Sequence, residues 1–223
     1  MKRVALAWSG GKDCLMALLA LEATRGVQIE ALITTVTDPY GRISMHGVRE
    51  ALLDAQAGAL DMTLAKCRMP NAADNDTYRD RFAATLLPLV DRGVTGVAFG
   101  DLYLAAVRAF REAQMQALGL ETCFPLWHTP TDILGREFIT NGYRAVLCCV
   151  DNEQLSPVFL GRDYDATLLE ELPATVDPCG ENGEFHTFVY DGPRFVRRIA
   201  FKPGRTHVAD ERFHFLDLEA CRV

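Results

Sequence analysis

The amino-acid sequence predicts an α/β protein with a doubly wound, mostly parallel five-stranded sheet and a second, smaller α+β domain. Three observations carry this prediction. Strand and helix patterns alternate along the first half of the chain, a Gly-Gly turn follows the first apolar run, and the alternation ends near residue 125. The 223 residues are 49% hydrophobic and 24% charged, which is typical of a folded globular protein. This length suits one large domain or two of unequal size.

In the predicted first domain, residues 1–125, each of the first four strands is followed by one helix, and a fifth strand ends the domain. Arg3–Trp8 is a short apolar run, and Leu15, Leu18 and Leu19 recur with helical spacing after it. The other strands are predicted at Gln28–Val36, Met62–Arg68, Val94–Phe99 and Glu121–Phe124, and the helices at Asp13–Thr24, Gly47–Leu60, Asp76–Asp91 and Leu104–Leu118. Strands joined by single helices form right-handed parallel crossovers, and ligands bind such sheets where the strands end.

The predicted second domain, residues 126–223, has a different order of strand and helix patterns. A helix is predicted at Pro130–Asn141 and a strand at Tyr143–Val150, before a polar stretch that ends at Asp177. Short strands then follow at Phe185–Tyr190, Val196–Phe201 and Arg212–Leu218. Because helices and strands no longer alternate, we expect a mixed α+β unit beside the first sheet.

Composition and charge exclude several classes of protein. The net charge is −7 and no four consecutive residues are all lysine or arginine, so we expect neither nucleic acid nor a membrane surface as a partner. No stretch reaches the ~18 apolar residues that a membrane span needs. The seven cysteines are odd in number and several lie in apolar segments, which is typical of reduced thiols and predicts a cytoplasmic protein.

The loop after the first strand has the sequence Ser9-Gly10-Gly11-Lys12-Asp13-Cys14 and the chemistry of an anion site. Two glycines allow successive backbone N–H groups to turn toward one point, and the following helix adds its positive N-terminus. Lys12 offers an ammonium and Ser9 a hydroxyl to a phosphate. The spacing fits neither a Walker A loop nor Gly-x-Gly-x-x-Gly. On these residues alone, a plain turn between strand and helix remains an alternative.

The segment 177–187, which we call the acidic segment, combines three carboxylates with an asparagine and a histidine just before an apolar strand. Glu181 and Glu184 can hold Mg²⁺, accept hydrogen bonds from ammonia or orient a substrate, and His186 can move a proton near neutral pH. Loops fixed to a strand are a common place for function. A solvated acidic turn before a hairpin strand is the alternative.

Together the two segments resemble the diphthine–ammonia ligase family. The loop is similar to the pyrophosphate loop Ser-Gly-Gly-x-Asp-Ser of N-type ATP pyrophosphatases, with Cys14 where serine is usual. Residues 180–187 are similar to the family signature Gly-Glu-x-Gly-Glu-[Phe/Tyr]-His-Thr. Further matches, in the family's order, are Ser44-Met45-His46-Gly47, Phe99-Gly100-Asp101, Arg108-x-x-Arg111-Glu112, Pro125-Leu126-Trp127 and Tyr190-Asp191-Gly192-Pro193. The resemblance covers nearly the whole chain.

The resemblance implies a Rossmann-like nucleotide α-hydrolase fold and a two-step reaction. In the family, ATP adenylates the carboxylate of diphthine on elongation factor 2, and ammonia then displaces AMP to give the amide. ATP and Mg²⁺ are the implied cofactors, ammonia or ammonium and a carboxylate acceptor are the implied partners, and a homodimer is left open. Diphthine occurs in archaea and eukaryotes, while many bacteria carry similar proteins without it. The resemblance therefore indicates the type of reaction better than it indicates the identity of the acceptor.

The motifs and the resemblance together assign the site residues. The expected catalytic residues are Glu181, Glu184, His186 and Asp101. The expected ATP-binding residues are Ser9, Gly10, Gly11, Lys12, Asp13, Cys14 and Gly100. The expected substrate-binding residues are His46, Arg108, Arg111, Asp177, Asn182 and Thr187.

Several of these residues have a second interpretation. Asp13 is the expected Mg²⁺ ligand, with an acid that stabilises the first helical turn as the alternative. Asp101 is expected in the site but would also suit a helix cap, and Arg108 and Arg111 would also suit a solvated helix surface. The helix N-terminus should lower the pKa of Cys14 and make its thiol reactive.

Two rival functions are compatible with the sequence. One is a different adenylating reaction, although sulfur transfer to RNA is disfavoured by the acidic charge and by the lack of paired catalytic cysteines. The other is an ATP or AMP sensor without chemistry, which has little need of several carboxylates. Within the ligase interpretation, we expect the glycine loop to bind ATP. We expect the acidic segment to close over the substrate half and to serve the amide-forming step, because carboxylates repel phosphates unless a metal intervenes.

Overall fold

The computed structural model describes residues 1–43 and 46–221; Ser44 and Met45 of the Ser-Met-His-Gly motif, and the last two residues of the predicted second domain, lie outside the described residues. Within that part of the chain, the strands of the first sheet are β1 (Lys2–Ala7), β2 (Val27–Thr37), β3 (Arg42–Ile43), β4 (Leu64–Met69), β5 (Gly96–Ala98) and β6 (Glu121–Cys123). Five strands run parallel in the order β4-β2-β1-β5-β6, whereas the short β3 pairs antiparallel with the end of β2.

Helices cover both faces of this sheet. They are α1 (Lys12–Ala23), α2 (Glu50–Leu60), α3 (Asn75–Val90) and α4 (Ala105–Ala117). Successive strand residues point to opposite faces, so Leu6 packs in one core with Leu15 of α1, while its neighbour Ala5 packs in another core with Phe82 of α3. The predicted doubly wound, five-stranded parallel sheet is confirmed. Chain order reverses between β1 and β5, and ligands bind such sheets at that point.

The second sheet is antiparallel. Its strands are β7 (Arg144–Asp151), β8 (Phe185–Asp191), β9 (Phe201–Ala209) and β10 (Phe213–Ala220), in the order β8-β7-β10-β9. Helices α5 (Thr131–Thr140) and α6 (Ala166–Glu171) accompany it. Phe138 and Phe188 of this part are buried in the same core as α1, so the second sheet packs against the first domain. The smaller α+β part is confirmed, and the boundary at residue 125 stays a prediction.

One predicted strand is misplaced. The prediction of a strand at Val196–Phe201 is wrong, because β9 only begins at Phe201 and Val196 is 70% exposed. Pro203 and Gly204 lie inside β9, and because both residues are rare within strands, the sequence pattern there does not indicate a strand. Because β9 is the outermost strand of its sheet, a residue without an N–H donor is tolerated there.

Two short elements in the polar stretch before the acidic segment were not predicted. A 3₁₀ turn spans Pro157–Phe159, and α6 begins after Asp165, whose carboxylate accepts the N–H of Leu168. Both are shorter than two helical turns, so apolar periodicity cannot reveal them. Across residues 1–43 and 46–221, no helix is long and apolar enough to cross a membrane.

Candidate active site

A cavity of about 360 Å³ lies at the carboxyl ends of β1, β2 and β5 and is lined on one side by the acidic segment. Lys12 and Asp13 line it from the loop after β1, and Glu181 and His186 line it from the acidic segment. We expected the glycine loop to bind ATP and the acidic segment to close over the substrate half, and this division of roles stays a prediction. The fold brings both to one cavity, because β8 packs against the start of α1.

The glycines shape the loop after β1. Gly10 has a φ of +81°, and a Cβ there would lie 2.9 Å from Gln56 Oε1, so glycine is required on both counts. Gly11 is the N-cap of α1 in an extended conformation, and a Cβ there would approach His46 Cε1 to 3.0 Å. The Gly10 carbonyl oxygen accepts the N–H of Val189 at 2.9 Å. The loop is therefore fixed by residues distant in the sequence.

Lys12 is turned toward the acidic segment. Its side chain is 3% exposed, and its ammonium lies 3.1 Å from Asp13 Oδ2 and contacts the carbonyl oxygen of Cys179. The ammonium also lies 5.3 and 5.2 Å from the ring centroids of Tyr164 and Phe185. Burial is the largest influence on the pKa of Lys12 and lowers it, but the acidic groups around the ammonium, Asp13 first among them, together outweigh burial and raise the pKa. A permanent cation thus stands at the edge of the cavity.

Asp13 lies in the first turn of α1 and also faces the cavity, so its position is compatible with both of its predicted roles. Its Oδ1 is buried and has no hydrogen-bond partner among the described residues. Burial raises the pKa of Asp13, and the Lys12 ammonium opposes that shift. A carboxylate oxygen without a partner suits Mg²⁺, but in the described ranges no three His, Cys, Asp or Glu residues form a metal site. Mg²⁺ would need further oxygens from a ligand such as a phosphate.

Cys14 differs from its prediction. It is 4% exposed, and its sulfur lies 3.0 Å from the carbonyl oxygen of Gly11. Burial raises the pKa of the thiol to about 11, although the hydroxyl of Ser9 donates to its sulfur and lowers the pKa. The expected low pKa is therefore wrong, because loss of hydration outweighs the helix N-terminus, and we now expect the thiol to be unreactive. Both Ser9 and Cys14 line the cavity.

The end of β5 contributes Gly100 and Asp101 to the cavity wall. A Cβ at Gly100 would lie 3.0 Å from the carbonyl oxygen of Asp13, so the glycine lets this strand end pack on the start of α1. Asp101 does not cap α4, whose N-cap is Leu104. Its carboxylate instead accepts two hydrogen bonds from Arg111, at 2.6 and 3.2 Å, and Arg111 also lines the cavity.

Arg108 lies on the same helix but is not among the residues that line the cavity. Its guanidinium donates to Glu112 at 2.7 Å and stacks on Phe124 and Trp127, 4.9 and 4.7 Å from the ring centroids. The structure therefore brings Arg111 to the site and leaves Arg108 in a cluster on the helix surface.

Three predicted site residues hold the acidic segment in shape. Asp177 Oδ1 accepts the N–H groups of Cys179 and Glu181 at 2.8 and 3.2 Å. Glu184 is 1% exposed, and its Oε1 accepts the N–H of Asp177 and the side-chain amide of Asn182 at 2.9 and 3.0 Å. Asp177, Asn182 and Glu184 do not line the cavity. Their contacts suit residues that position the segment, not residues that touch a substrate.

Glu181 is the carboxylate of the acidic segment that faces the cavity. Its Oε1 accepts the N–H of Leu102 at 2.8 Å and that of Tyr103 at 3.4 Å, which ties the segment to the loop after β5. Burial, with a smaller contribution from the Asp13 and Asp101 charges, raises the pKa of Glu181 to about 7. At neutral pH both protonation states are populated, which suits a group that exchanges a proton.

His46 and His186 meet in the cavity from different domains, with ring centroids 4.5 Å apart. His46 Nδ1 lies 3.2 Å from the carbonyl oxygen of Thr187, whose hydroxyl accepts the N–H of Lys12 at 3.1 Å. Burial lowers the pKa of both imidazoles, to about 4 for His46 and well below the ordinary histidine value for His186. Both rings are therefore neutral at physiological pH.

Sequence reasoning missed Gln56 and Thr34. Gln56 of α2 is fully buried, donates to the carbonyl oxygens of Gly10 and Val189 at 2.9 and 2.6 Å, and accepts the indole N–H of Trp8 at 2.9 Å. Thr34 of β2 lines the cavity with a buried hydroxyl that has no partner in the described part of the chain. Their signals were a glutamine within an apolar helix and a threonine within a buried strand. Beside them is an aromatic wall made of Tyr78, Phe82 and Phe99.

The fold and the cavity define a doubly wound α/β protein of the nucleotide α-hydrolase type, whose site is completed by a second sheet. Family models for the N-terminal and C-terminal domains of diphthamide synthase match residues 1–122 and 130–220. The chain belongs to the diphthamide synthase family. The family resemblance inferred from the motifs is confirmed.

Curated relatives with the name diphthine–ammonia ligase match over most of the chain. The mouse protein is 26% identical over 225 residues, which cover 88% of this chain and 82% of the relative. The rat protein is 28% identical over 222 residues, with the same coverage. The Schizosaccharomyces pombe protein is 25% identical across 96% of this chain, and the match covers 38% of that longer relative.

Proposed function

We propose that this protein is an ATP-dependent, AMP-forming amide ligase that adenylates the carboxylate of diphthine on elongation factor 2 and lets ammonia displace AMP. The observation that carries this proposal is the meeting of the glycine loop and the acidic segment in one cavity. The family models and the relatives named diphthine–ammonia ligase support it. A protein with this acceptor works in the cytoplasm, where the elongation factor acts.

The ATP phosphates would lie against the loop 9–14. The N-terminus of α1 and the Lys12 ammonium supply positive charge where negative charge builds on the leaving pyrophosphate. Arg111, held by Asp101, adds a second cation to the same cavity. Asp13 Oδ1 would hold Mg²⁺ together with phosphate oxygens, and the metal would supply further charge neutralisation.

The adenine base would occupy the side of the cavity that is lined by residues of β2 and α3. Tyr78 and Phe82 offer an apolar wall there, and the Thr34 hydroxyl offers a hydrogen bond that no described residue takes. An apolar pocket with one or two polar groups is typical of sites for a small aromatic ligand. The base and the phosphates would then lie along the ends of neighbouring strands.

The amide-forming step would take place beside Glu181. Its pKa of about 7 lets the carboxylate accept the proton that the attacking nitrogen loses. Asp177 and Glu184 keep the acidic segment, and thus Glu181, in place through their hydrogen bonds to its backbone and side chains. ATP binding and amide formation would therefore take place at two ends of one cavity.

A reconstituted reaction tests the proposal. The purified protein is mixed with ATP, Mg²⁺, ammonium chloride and elongation factor 2 that carries diphthine. We expect AMP, pyrophosphate and amide in equal amounts, and none of them with elongation factor that lacks diphthine. Release of ADP in place of AMP, or AMP release that does not depend on the acceptor, would contradict the proposed reaction. When ammonium chloride is replaced by hydroxylamine, a hydroxamate should report the acyl-adenylate.

A further inference from the structure

The His46–His186 pair, which lines the cavity, includes a polar atom without a partner. Nε2 of His186 is buried and makes no hydrogen bond within the described residues. The two rings lie 4.5 Å apart, so the space beside them is bounded by two imidazoles. A buried polar atom without a partner is energetically unfavourable. A small polar ligand that enters the cavity would remove this cost.

The charge state of the pair limits which ligand fits. A carbonyl oxygen only accepts, so His46 Nδ1, which faces the Thr187 carbonyl, carries the hydrogen and Nε2 of that ring keeps its lone pair. Burial is the main cause that lowers the pKa of both imidazoles and keeps them neutral. For His186 the neighbouring His46 and then the Lys12 ammonium lower the pKa further, and for His46 the Lys12 ammonium adds to burial while the Thr187 carbonyl opposes it. The other charged groups that line the cavity are Asp13, Asp101, Arg111 and Glu181. A neutral imidazole next to a cation accepts N–H hydrogen bonds and disfavours a further cation.

We propose that the space beside His46 and His186 binds neutral ammonia, the nucleophile of the amide-forming step, and this inference rests on the proposed function. In the His186 tautomer with its hydrogen on Nδ1, an ammonia N–H would donate to Nε2, which leaves the nitrogen lone pair free for attack. Ammonium has no lone pair and would add positive charge close to Lys12. The pair therefore selects ammonia from a solution that contains mostly ammonium.

The chemical step balances with groups that face the cavity. The ammonia nitrogen forms a bond to the carbonyl carbon of the acyl-adenylate, and the C–O bond to the phosphate breaks as AMP leaves with the bonding electrons. The nitrogen gives up one proton to the Glu181 carboxylate, which lines the same cavity. Glu181 later returns this proton to water. The products are the amide and AMP.

Binding can be measured without catalysis. The full-length protein with ¹⁵N-labelled histidines is titrated with ammonium chloride, and sodium chloride at equal ionic strength is the control. We expect a saturable shift of the His186 imidazole resonance that is larger in mildly alkaline buffer, because more of the probe is then ammonia. No saturable shift, or one that does not grow with alkalinity, would overturn the proposal.

Turnover separates ammonia binding from adenylation. His186→Leu removes the acceptor atom, His186→Gln retains one, and His214→Leu is the control, since His214 lies on β10 and faces the amide of Asn152 at 3.1 Å. At limiting ammonium chloride, His186→Leu should lower amide formation about tenfold or more, which is ~1.4 kcal/mol, and His186→Gln should restore part of it.

The hydroxamate yield decides which step has changed. It should be equal in the wild type and His186→Leu, because hydroxylamine at high concentration traps the acyl-adenylate without the ammonia site. If hydroxamate falls together with amide in His186→Leu, the histidine acts in adenylation and the ammonia site is refuted. If the wild type forms no hydroxamate at all, the proposed function fails, and the histidine resonances alone decide whether ammonia binds.

Discussion

Replacing Gln56 with leucine should loosen the glycine loop and lower the stability of the chain. The buried side chain donates to the carbonyl oxygens of Gly10 and Val189 and accepts the indole N–H of Trp8. The Gly10 carbonyl keeps the N–H of Val189 as a partner, but the Trp8 indole would lose its acceptor. An unsatisfied buried polar group costs about 1–3 kcal/mol, so with the Val189 bond also lost we expect a total loss of about 2–4 kcal/mol.

Urea and thermal denaturation measure this loss. For a chain of 223 residues, it corresponds to a fall in Tm of roughly 4–16 °C. Gln116→Leu is the matched control, because Gln116 is exposed on α4 and its replacement should change the free energy of unfolding by less than about 0.5 kcal/mol. ATP affinity, measured by calorimetry, should fall about fivefold or more in Gln56→Leu, which is ~1 kcal/mol. A loss of stability below about 1 kcal/mol with unchanged ATP affinity would refute this reasoning.

Four further predictions concern the cavity. Lys12→Ala should weaken ATP binding at least about tenfold, or ~1.4 kcal/mol, because the cation beside the loop is lost; equal affinity in calorimetry would exclude Lys12 from phosphate binding. Cys14→Ser should keep turnover, and the native thiol should resist iodoacetamide because burial raises its pKa to about 11; rapid alkylation of the folded protein would argue against this. Glu184→Gln retains an oxygen for the bonds to Asp177 and Asn182, so ATP affinity should stay within about twofold, whereas Glu184→Ala should slow amide formation. The pKa of Glu181 is raised from 4.5 to about 7, so between these pH values the folded state holds a proton that the unfolded state releases. The free energy of unfolding should therefore fall as the pH rises through this window, and it should fall less in Glu181→Gln. Equal pH dependence of the two proteins in denaturation series would count against the raised pKa.

Local signals in the sequence were sufficient to predict the five parallel strands of the first sheet, whereas the two-residue β3 was not predicted. β1 and β5 are short, mainly apolar runs that end at turn residues, and α1 has apolar residues at helical spacing, so pattern and fold agree there. The Gly10–Gly11 turn also correctly predicted that the first strand is followed directly by the N-terminus of a helix. In β9 the pattern failed, because Pro203 and Gly204 weaken the strand signal and only the edge position in the sheet makes them tolerable.

The roles of the site residues depend on contacts that local sequence does not encode. The Lys12 ammonium reaches Asp13 and the carbonyl of Cys179, and nothing in the sequence around Lys12 distinguishes this from an ammonium that points at a phosphate. For Cys14, the helix N-terminus and burial shift the pKa in opposite directions, and only the packing shows that burial prevails. The contact between His46 and His186 likewise requires both domains to be in place.

The glycine loop is completed by residues from the other end of the chain. The N–H of Lys12 donates to the Thr187 hydroxyl, and the Gly10 carbonyl accepts the N–H of Val189. A chain that ended at residue 125 would lack both partners, and Gln56 would lose the Val189 carbonyl as well. The conformation of the loop therefore depends on the strand that carries the acidic segment. For this reason the loop motif alone is weaker evidence for function than the loop and the acidic segment together, since neither half of the chain encloses the cavity without the other.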